Sequence, residues 1–589
     1  MTSGRCPVLV AALTICLPAA SGAQDRPPPD SAPLGDSAAI VPTRTYAMPP
    51  DVPDGPLAPG TRYIFTRDSL RWFEGYTLAD LLGTIPGAYV ARAGFIHQPH
   101  PVTWAGRGAV AIELFWDGVP YLPVGRDSVH ADPGRISLLG LQRVEVRVLP
   151  ATLRVYLVSE RHAAPESRSV IRILSGDVET AGYAALFQHQ WANGLTLNLR
   201  GDFLGTEGAR DAPRDDRSFD LWAKLDWTPT PRVGASWQVW SQQYDRDSIG
   251  GPEPGMTTAR HGRRSDVLFR FLTSTEPGGN GLGVEAGFAT TAWDDEDSTF
   301  VARTLRQAFL GVRWRRHNAV VSVLGRAGDG YYTSGVDTHV GWAPLRWFVI
   351  AGDAMLRQYP GERTARRAHG SASLHAGPVA VVAQVATGEL LDAPRVADDT
   401  LQHATDAGGW VQLDLGRVAG RAGLVRRDAY APRVPPGFPA IARLRPSAEA
   451  TYFVTDVRLA PWRELTLDAW YANPRGATAP ADFQPPEHGR VSLTFRSNFF
   501  RTFRSGAWDL KVRYGIEYWS AWFAGVDAQD NVIQVPGATF HDLFIQFRIV
   551  GFHAFYRLQN TRNTRGRYAP GFDYLSAAQT FGVTWEFAN

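Results

Sequence analysis

The chain has 589 residues, with 20% charged, 44% hydrophobic and a formal net charge of +2. That length exceeds one ordinary soluble core, and a single large barrel is one of the few architectures that uses it without splitting into domains. The near-neutral balance carries no electrostatic footprint of nucleic-acid binding. Aromatic residues are abundant, with 19 Trp, 19 Tyr and 29 Phe, while 58 Gly and 42 Pro imply many turns.

The first element has the layout of a secretory signal peptide, residues 1–23. Arg5 supplies the positive start, Val8 to Leu17 forms an apolar stretch too short to span a bilayer, and Ser21-Gly22-Ala23 offers a cleavage site. A lipoprotein reading of Leu13-Thr14-Ile15-Cys16 fits poorly, because Thr and Ile are not the small residues such a site prefers. Both cysteines, Cys6 and Cys16, fall in this segment, so the expected mature chain has no disulfide, thiolate nucleophile or Cys-based metal site. No apolar run of about 18 residues follows, so no transmembrane helix is expected.

Residues 24–60 are rich in Pro, Asp, Ala and Ser, as in Pro27-Pro28-Pro29 and Met48-Pro49-Pro50-Asp51. Such a composition buries no core of its own and predicts a disordered, periplasm-facing arm. Residues 61–165 predict a small α+β unit. Thr77-Leu78-Ala79-Asp80 is a helix start with Thr77 as N-cap, and Leu78, Leu81, Leu82 and Ile85 share one helical face before Pro86-Gly87 ends it. Short strands follow at Ala111 to Trp116, before a turn at Asp117-Gly118, and at Gln142 to Leu149.

From residue 166 to 589 the hydrophobic period is two. Trp508, Leu510, Val512, Tyr514, Ile516 and Tyr518 face one way, and Asp509, Lys511, Arg513, Gly515 and Glu517 the other. Leu195, Leu197 and Leu199 alternate with Thr196, Asn198 and Arg200, and Phe581, Val583, Trp585 and Phe587 with Gly582, Thr584 and Glu586. A soluble β-sandwich explains any one such strand. It explains less well roughly 20 to 22 strands of about ten residues, with tight turns alternating with longer polar loops, which is the signature of a transmembrane β-barrel. Pro229-Thr230-Pro231 and Pro277-Gly278-Gly279-Asn280-Gly281 are turns on this reading; Arg246 to Arg260 and Leu390 to Ala407 are loops. Trp227, Trp240, Trp293 and Trp347 lie near strand ends, where aromatic girdles sit.

The α+β unit resembles the plug domain of TonB-dependent outer-membrane receptors. Leu78 through Gly87, Arg107-Gly108, Asp117-Gly118-Val119-Pro120 and Leu141-Gln142-Arg143-Val144-Glu145-Val146 are similar to four motifs of that plug, in the same order. Thr580 to Phe587 resembles the family's final barrel strand, which the barrel-assembly machinery reads. The resemblance implies a mainly β protein: a transmembrane antiparallel barrel of about 22 strands with the N-terminal α+β plug in its lumen. It further implies the outer membrane of a Gram-negative bacterium, outer-membrane lipid around the barrel, and a TonB-like periplasmic energy-coupling protein. The implied ligand is a scarce small molecule or oligomer, such as a siderophore, cobalamin, a glycan or a peptide. After Val146 the chain lacks the family's Tyr-Gly and Gly-Gly, and no TonB box stands in the arm, where Ala38-Ala39-Ile40-Val41 is the best substitute for a strand-adding segment. These departures favour an alternative: a plugged barrel with a binding or structural role and no energised transport. A passive porin is a third reading, against which the plug argues.

The resemblance gives the candidate site. In the family, plug charges hold the plug against the wall. Arg107, Gly108, Asp117, Gly118, Arg143 and Glu145 stand at the matching motif positions, with Asp509, Arg513 and Glu517 as inward-facing partners on the barrel. Asp117 and Gly118 read first as a hairpin turn. His97 and His100 share a Pro-containing loop but lack the further ligands a metal needs. The acidic run Asp294-Asp295-Glu296-Asp297 lacks the spacing and glycine of a calcium loop. No nucleophile-elbow, zinc-protease or P-loop motif occurs, so a non-enzyme without catalytic residues or cofactor is expected, with an outer-membrane hydrolase as the enzymatic alternative.

Overall fold

The computed structural model describes residues 47–588, apart from 95, 125–129, 208–215, 247–259, 296–303, 395–398, 436, 439, 476–480, 500 and 506. The expected signal peptide, the arm as far as residue 46, most of the loop from Arg246 to Arg260 and half of the acidic run lie outside the described residues.

Twenty-two antiparallel strands form one closed barrel, each paired with its neighbours in sequence, and the last, Ala578–Ala588, closes the cylinder on the first, Arg168–Gly176. Alternation explains the closure. Leu221, Leu310 and Val312 are exposed on the outer surface, whereas Thr196, Asn198, Arg200, Gln238 and Arg270 are buried inside. A sandwich would put its apolar faces inward. Here the apolar face is the outside, the arrangement that hydrocarbon requires. No described helix is long and apolar enough to cross a membrane; strands of 8 to 15 residues make the wall.

One end of the barrel carries tight turns, as at 231–232, 317–318, 377–378 and 550–551. The other carries long connections, as at 428–449, 520–537 and 560–577. In such barrels short turns face the periplasm and long loops the outside. The expected loop from Leu390 ends earlier than its composition suggests, because Gln402–Asp414 is already strand. There the barrel wall continues past the apolar band, so polar residues occur on both of its faces.

Exposed tryptophans gather at the turn end: Trp227, Trp314, Trp342, Trp347, Trp462 and Trp585. Trp227 and Trp347 are thus exposed near strand ends, where a girdle would sit. Trp240 and Trp293 do not fit that girdle, since both are buried. The cause is parity. Trp237 faces out and is exposed, and a residue three positions along the same strand must face in.

The lumen holds a mixed five-stranded sheet with strands β1 (Arg62–Thr66), β4 (Ile112–Trp116), β5 (Val119–Pro120), β6 (Leu141–Leu149) and β7 (Thr152–Ser159), in the order β1-β6-β7-β4-β5. β4 runs parallel to β7. Helices α1 (Arg67–Arg71) and α2 (Leu78–Leu82) each begin with a capping box, the second built from Thr77 and Asp80 as its sequence predicts. Leu78, Leu81, Leu82 and Ile85 are almost wholly buried against Val144, Val146, Leu153 and Val155. Strands β2 (Ala88–Val90) and β3 (Val102–Trp104) form a separate ribbon.

Residues 47–60, assigned by composition to the arm, are packed rather than free. Ala47, Val52 and Ala58 are buried. A Cβ on Gly234 would fall 1.8 Å from the Ala47 carbonyl, and the Gly60 carbonyl accepts from Arg421. The segment therefore runs as a strap along the inner wall from strand Val233–Arg246 to strand Val418–Arg427. A proline-rich stretch gains no core of its own, yet its carbonyls and aspartates find partners on two surfaces that already exist.

Candidate functional site

The contact between plug and wall is the feature with chemistry. Asp117 is at its centre. It follows β4 in the turn at φ +44°, and its buried carboxylate accepts from the Ser159 amide (2.8 Å) and hydroxyl (2.5 Å) of β7. From the wall, Lys224 Nζ (3.1 Å) and Gln238 Nε2 (2.9 Å) donate to the same carboxylate, and Arg270 donates to its backbone carbonyl. Burial alone would raise the Asp117 carboxyl, but Lys224, Arg161 and the Ser159 hydrogen bonds outweigh it and hold the group well below the usual carboxylate range. The hairpin turn expected at Asp117-Gly118 is present between β4 and β5, and the same residue also ties plug to wall. Beside it Trp116 stacks on the inward-facing Trp240, ring centroids 4.6 Å apart.

Arg107 makes the second tie. Its guanidinium pairs with Asp406 on strand Gln402–Asp414 and lies over the Tyr430 ring at 4.6 Å. Gly108 takes φ +73° beside it, which lets the chain turn into β4. The neighbouring Gly106 amide donates to Gln484 Oε1 at 2.6 Å.

Arg143 and Glu145 behave differently from the family-derived expectation. Both lie on β6, where Glu145 pairs with Arg143 and with Arg147 Nε (2.9 Å), all within the plug. Positions i and i+2 on a strand share a face, so these charges neutralise one another before reaching the wall. Arg147 then donates to the Pro53 carbonyl of the strap at 2.6 Å. Of the three expected barrel partners, Arg513 does reach the plug, pairing with Glu74, which Arg490 approaches at 3.7 Å. Asp509 pairs instead with Arg496 (2.9 Å), and Glu517 with His488 (3.0 Å), both within the wall.

His97 contacts the Leu204 carbonyl at 3.1 Å. Burial pushes both His97 and His100 down to about 4, so they are neutral near pH 7. Among the described residues no three His, Cys, Asp or Glu side chains are grouped to hold a metal ion.

The strap is fixed by its aspartates. Asp51 pairs with Arg161 of the plug (2.9 Å) and Arg270 of the wall (2.9 Å), and Asp54 with Arg313 (3.1 Å) and Arg315 (3.0 Å). A cavity of about 150 Å³ borders it, between the strap residues Pro50, Pro53 and Asp54, the plug residues Glu113, Phe115 and Arg154, and the wall from Gly281–Asp295 to Arg363–Ala376. Toward the loop end, Tyr89 of β2 shares a buried cluster with Phe438, Phe483, Trp522 and Tyr568, and its hydroxyl donates to the Tyr568 carbonyl at 2.8 Å.

The sequence motifs missed Lys224, Asp406, Glu74, Asp51 and Asp54. Inward parity was the signal available for the first two, and many other inward polar residues share it.

No protein-family model matches the sequence, and no curated protein matches it. Solved structures do match the fold. A ferric enterobactin receptor of Pseudomonas aeruginosa superposes with a TM-score of 0.67 at 11% identity, covering 90% of this chain and 99% of that one. The siderophore receptor PirA of Acinetobacter baumannii gives 0.67 at 9%, covering 90% and 98%. The copper transporter OprC gives 0.68 at 12%, covering 92% and 100%.

Proposed function

We propose that this chain, which has the plugged 22-stranded barrel fold of siderophore and copper receptors, is itself an outer-membrane receptor that binds a scarce solute from outside and admits it by rearrangement of its plug. On this reading residues 1–23 direct export, the arm reaches the periplasm, and the chain is a transport receptor rather than an enzyme. The observation that carries the reading is the cavity between plug and wall, closed at the turn end by the ion-paired strap. A pore needs a path and a removable stopper. The strap is attached to the arm, so a periplasmic partner of the TonB kind that gripped the arm would act on the stopper directly. Its ties are ion pairs and carbonyl contacts, which water can replace as they separate.

Cells expressing the chain would be screened for uptake of ferric siderophores, copper, cobalamin, oligosaccharides and peptides. The expected result is uptake of one class that stops when residues 24–46 are deleted or the proton-motive force is collapsed. Uptake indifferent to both would overturn energised transport.

The second reading, a plugged barrel with a binding or structural role, is favoured by the buried pairs Arg107–Asp406 and Lys224–Asp117. Separating a buried pair costs about 3–5 kcal/mol when one partner is left uncompensated, which resists plug movement. Absence of uptake with the plug still docked would support it.

A further inference from the structure

At the turn end an unbroken row of six rings crosses the outer face of the barrel: Phe503, Trp508, Phe547, Phe552, Trp585 and Phe587. Successive ring centroids are 5.7, 5.5, 6.3, 6.2 and 5.4 Å apart, separations at which aromatic pairs attract. From Trp508 onward the row steps across four neighbouring strands, Trp508–Trp519, Ala538–Ile549, Phe552–Gln559 and Ala578–Ala588. Parity and register put these five rings on the face that carries the exposed Tyr514, Ile549 and Phe581.

The sixth ring, Phe503, comes from the longest connection at that end, residues 498–507, where the others have two to six residues. The Thr502 and Phe503 amides both donate to the Phe499 carbonyl, at 2.7 and 2.8 Å, which closes a compact turn. Phe499 takes φ +45°, a left-handed backbone costly for a bulky residue. Its ring meets Phe495 at 6.2 Å, on the same outer face as the exposed Val491 and Leu493. The connection therefore folds back along the outer wall instead of over the lumen.

Two cations accompany these rings. Arg501 and Arg504 are exposed and have no carboxylate partner among the described residues. No acidic residue occurs from Phe495 to Trp508. The next one, Asp509, faces inward onto Arg496 (2.9 Å) and Arg548 (3.7 Å). The adjoining turn carries Arg463 and Glu464, whose charges offset each other. Arginine stems lie along apolar surface and leave the guanidinium at the water boundary, where phosphate matches its fork of donors.

We propose that this arc seats an anionic phospholipid of the periplasmic leaflet, its acyl chains along the ring row and its phosphate held by Arg501 and Arg504. A soluble periplasmic protein fits less well, since the rings share the face that meets hydrocarbon. A second copy docked arc to arc would bring like charges together. The site needs only the barrel fold and is independent of the receptor reading.

Native mass spectrometry of the intact chain in detergent, titrated with phosphatidylglycerol or with phosphatidylethanolamine of the same acyl chains, tests it. An arginine near an anionic lipid contributes about fivefold to binding, so phosphatidylglycerol is expected to be retained at least tenfold more tightly. Arg501→Gln with Arg504→Gln is expected to lose most of that preference. Arg565→Gln, an exposed arginine at the loop end, is expected to keep it. Inorganic phosphate is expected not to compete, because it lacks the chains that meet the rings. In cells, photoreactive Phe503→p-benzoylphenylalanine is expected to crosslink to lipid. Heat-modifiable electrophoretic mobility reports that each variant remains folded. Equal retention of the two lipids, a folded double variant that binds like the parent, or an equal loss in Arg565→Gln would overturn the proposal. Displacement by free phosphate, or crosslinks at position 503 to a protein or a second copy, would do the same.

Discussion

Arg107 and Asp406 stand 299 residues apart in the chain and meet as an ion pair whose side chains are only 2% and 3% exposed. One belongs to the plug and the other to the wall, so the pair is a direct measure of plug docking. Arg107→Ala leaves Asp406 buried without its cation, which costs about 3–5 kcal/mol. Amide hydrogen exchange at residues 102–111 is expected to speed by at least a hundredfold in detergent. The double variant Arg107→Met with Asp406→Leu removes both charges and is expected to recover most of the protection. Unchanged exchange in Arg107→Ala would show that the pair does not hold the plug.

The pH dependence of docking follows from Asp117. Its carboxyl lies below its unfolded value of about 3.9, so its stabilisation is complete above that pH and fades only as the pH falls toward the folded value. In the parent protein the turn at 117–118 is expected to stay protected from exchange down to pH 4. Lys224→Met removes the strongest influence lowering this carboxyl and leaves the burial that raises it. The variant is then expected to lose protection at a higher pH than the parent. Identical profiles for the two proteins would contradict the assignment of Lys224.

What the sequence made legible follows physical range. The barrel was readable because alternation repeats over many strands and each strand restates it. The plug helix was readable because Thr77 and Asp80 cap it within one turn. Long-range pairing was not, since nothing local distinguishes Lys224, which finds Asp117, from Lys511, which finds the Trp72 carbonyl and stands 4.0 Å from Glu74. Trp240 shows the same limit: its distance from a strand end suggested a girdle, and its parity sent it to Trp116. Arg143 and Glu145 matched a motif, but their shared face on β6 makes them each other's partners.

Gly118 offers a test of the strap's seat. It has φ +78°, and a Cβ there would come within 2.7 Å of the Pro50 carbonyl and 3.2 Å of Arg270 Nη2. Gly118→Ala therefore combines a left-handed backbone cost of about 1–2 kcal/mol with displacement of the strap. Gly377, at φ +59° in a tight turn with nothing within 4 Å of its Cβ site, is the control for the backbone cost alone. Gly118→Ala is expected to raise exchange in residues 50–54, and Gly377→Ala to leave that segment unchanged. Equal effects would place no steric contact at Gly118.

The strap's two aspartates differ in exposure, and that difference predicts how salt acts on the strap. Asp54 is 29% exposed and Asp51 9%. Raising ionic strength from about 0.1 to 1 M shortens the screening length from about 10 to 3 Å, which weakens the Asp54 pairs with Arg313 and Arg315 more than the buried Asp51 pairs with Arg161 and Arg270. In planar bilayers the intact barrel is expected to stay closed at both salt concentrations. Asp51→Asn is expected to open briefly in 1 M salt, where the remaining Asp54 ties are screened, and to stay mostly closed at 0.1 M. Asp51→Asn with Asp54→Asn is expected to open at both. Normalising conductance to bulk conductivity separates gating from ion supply. A double variant as silent as the parent would mean that the strap is not the stopper, and that closure lies with the plug sheet or the aromatic packing around Tyr89.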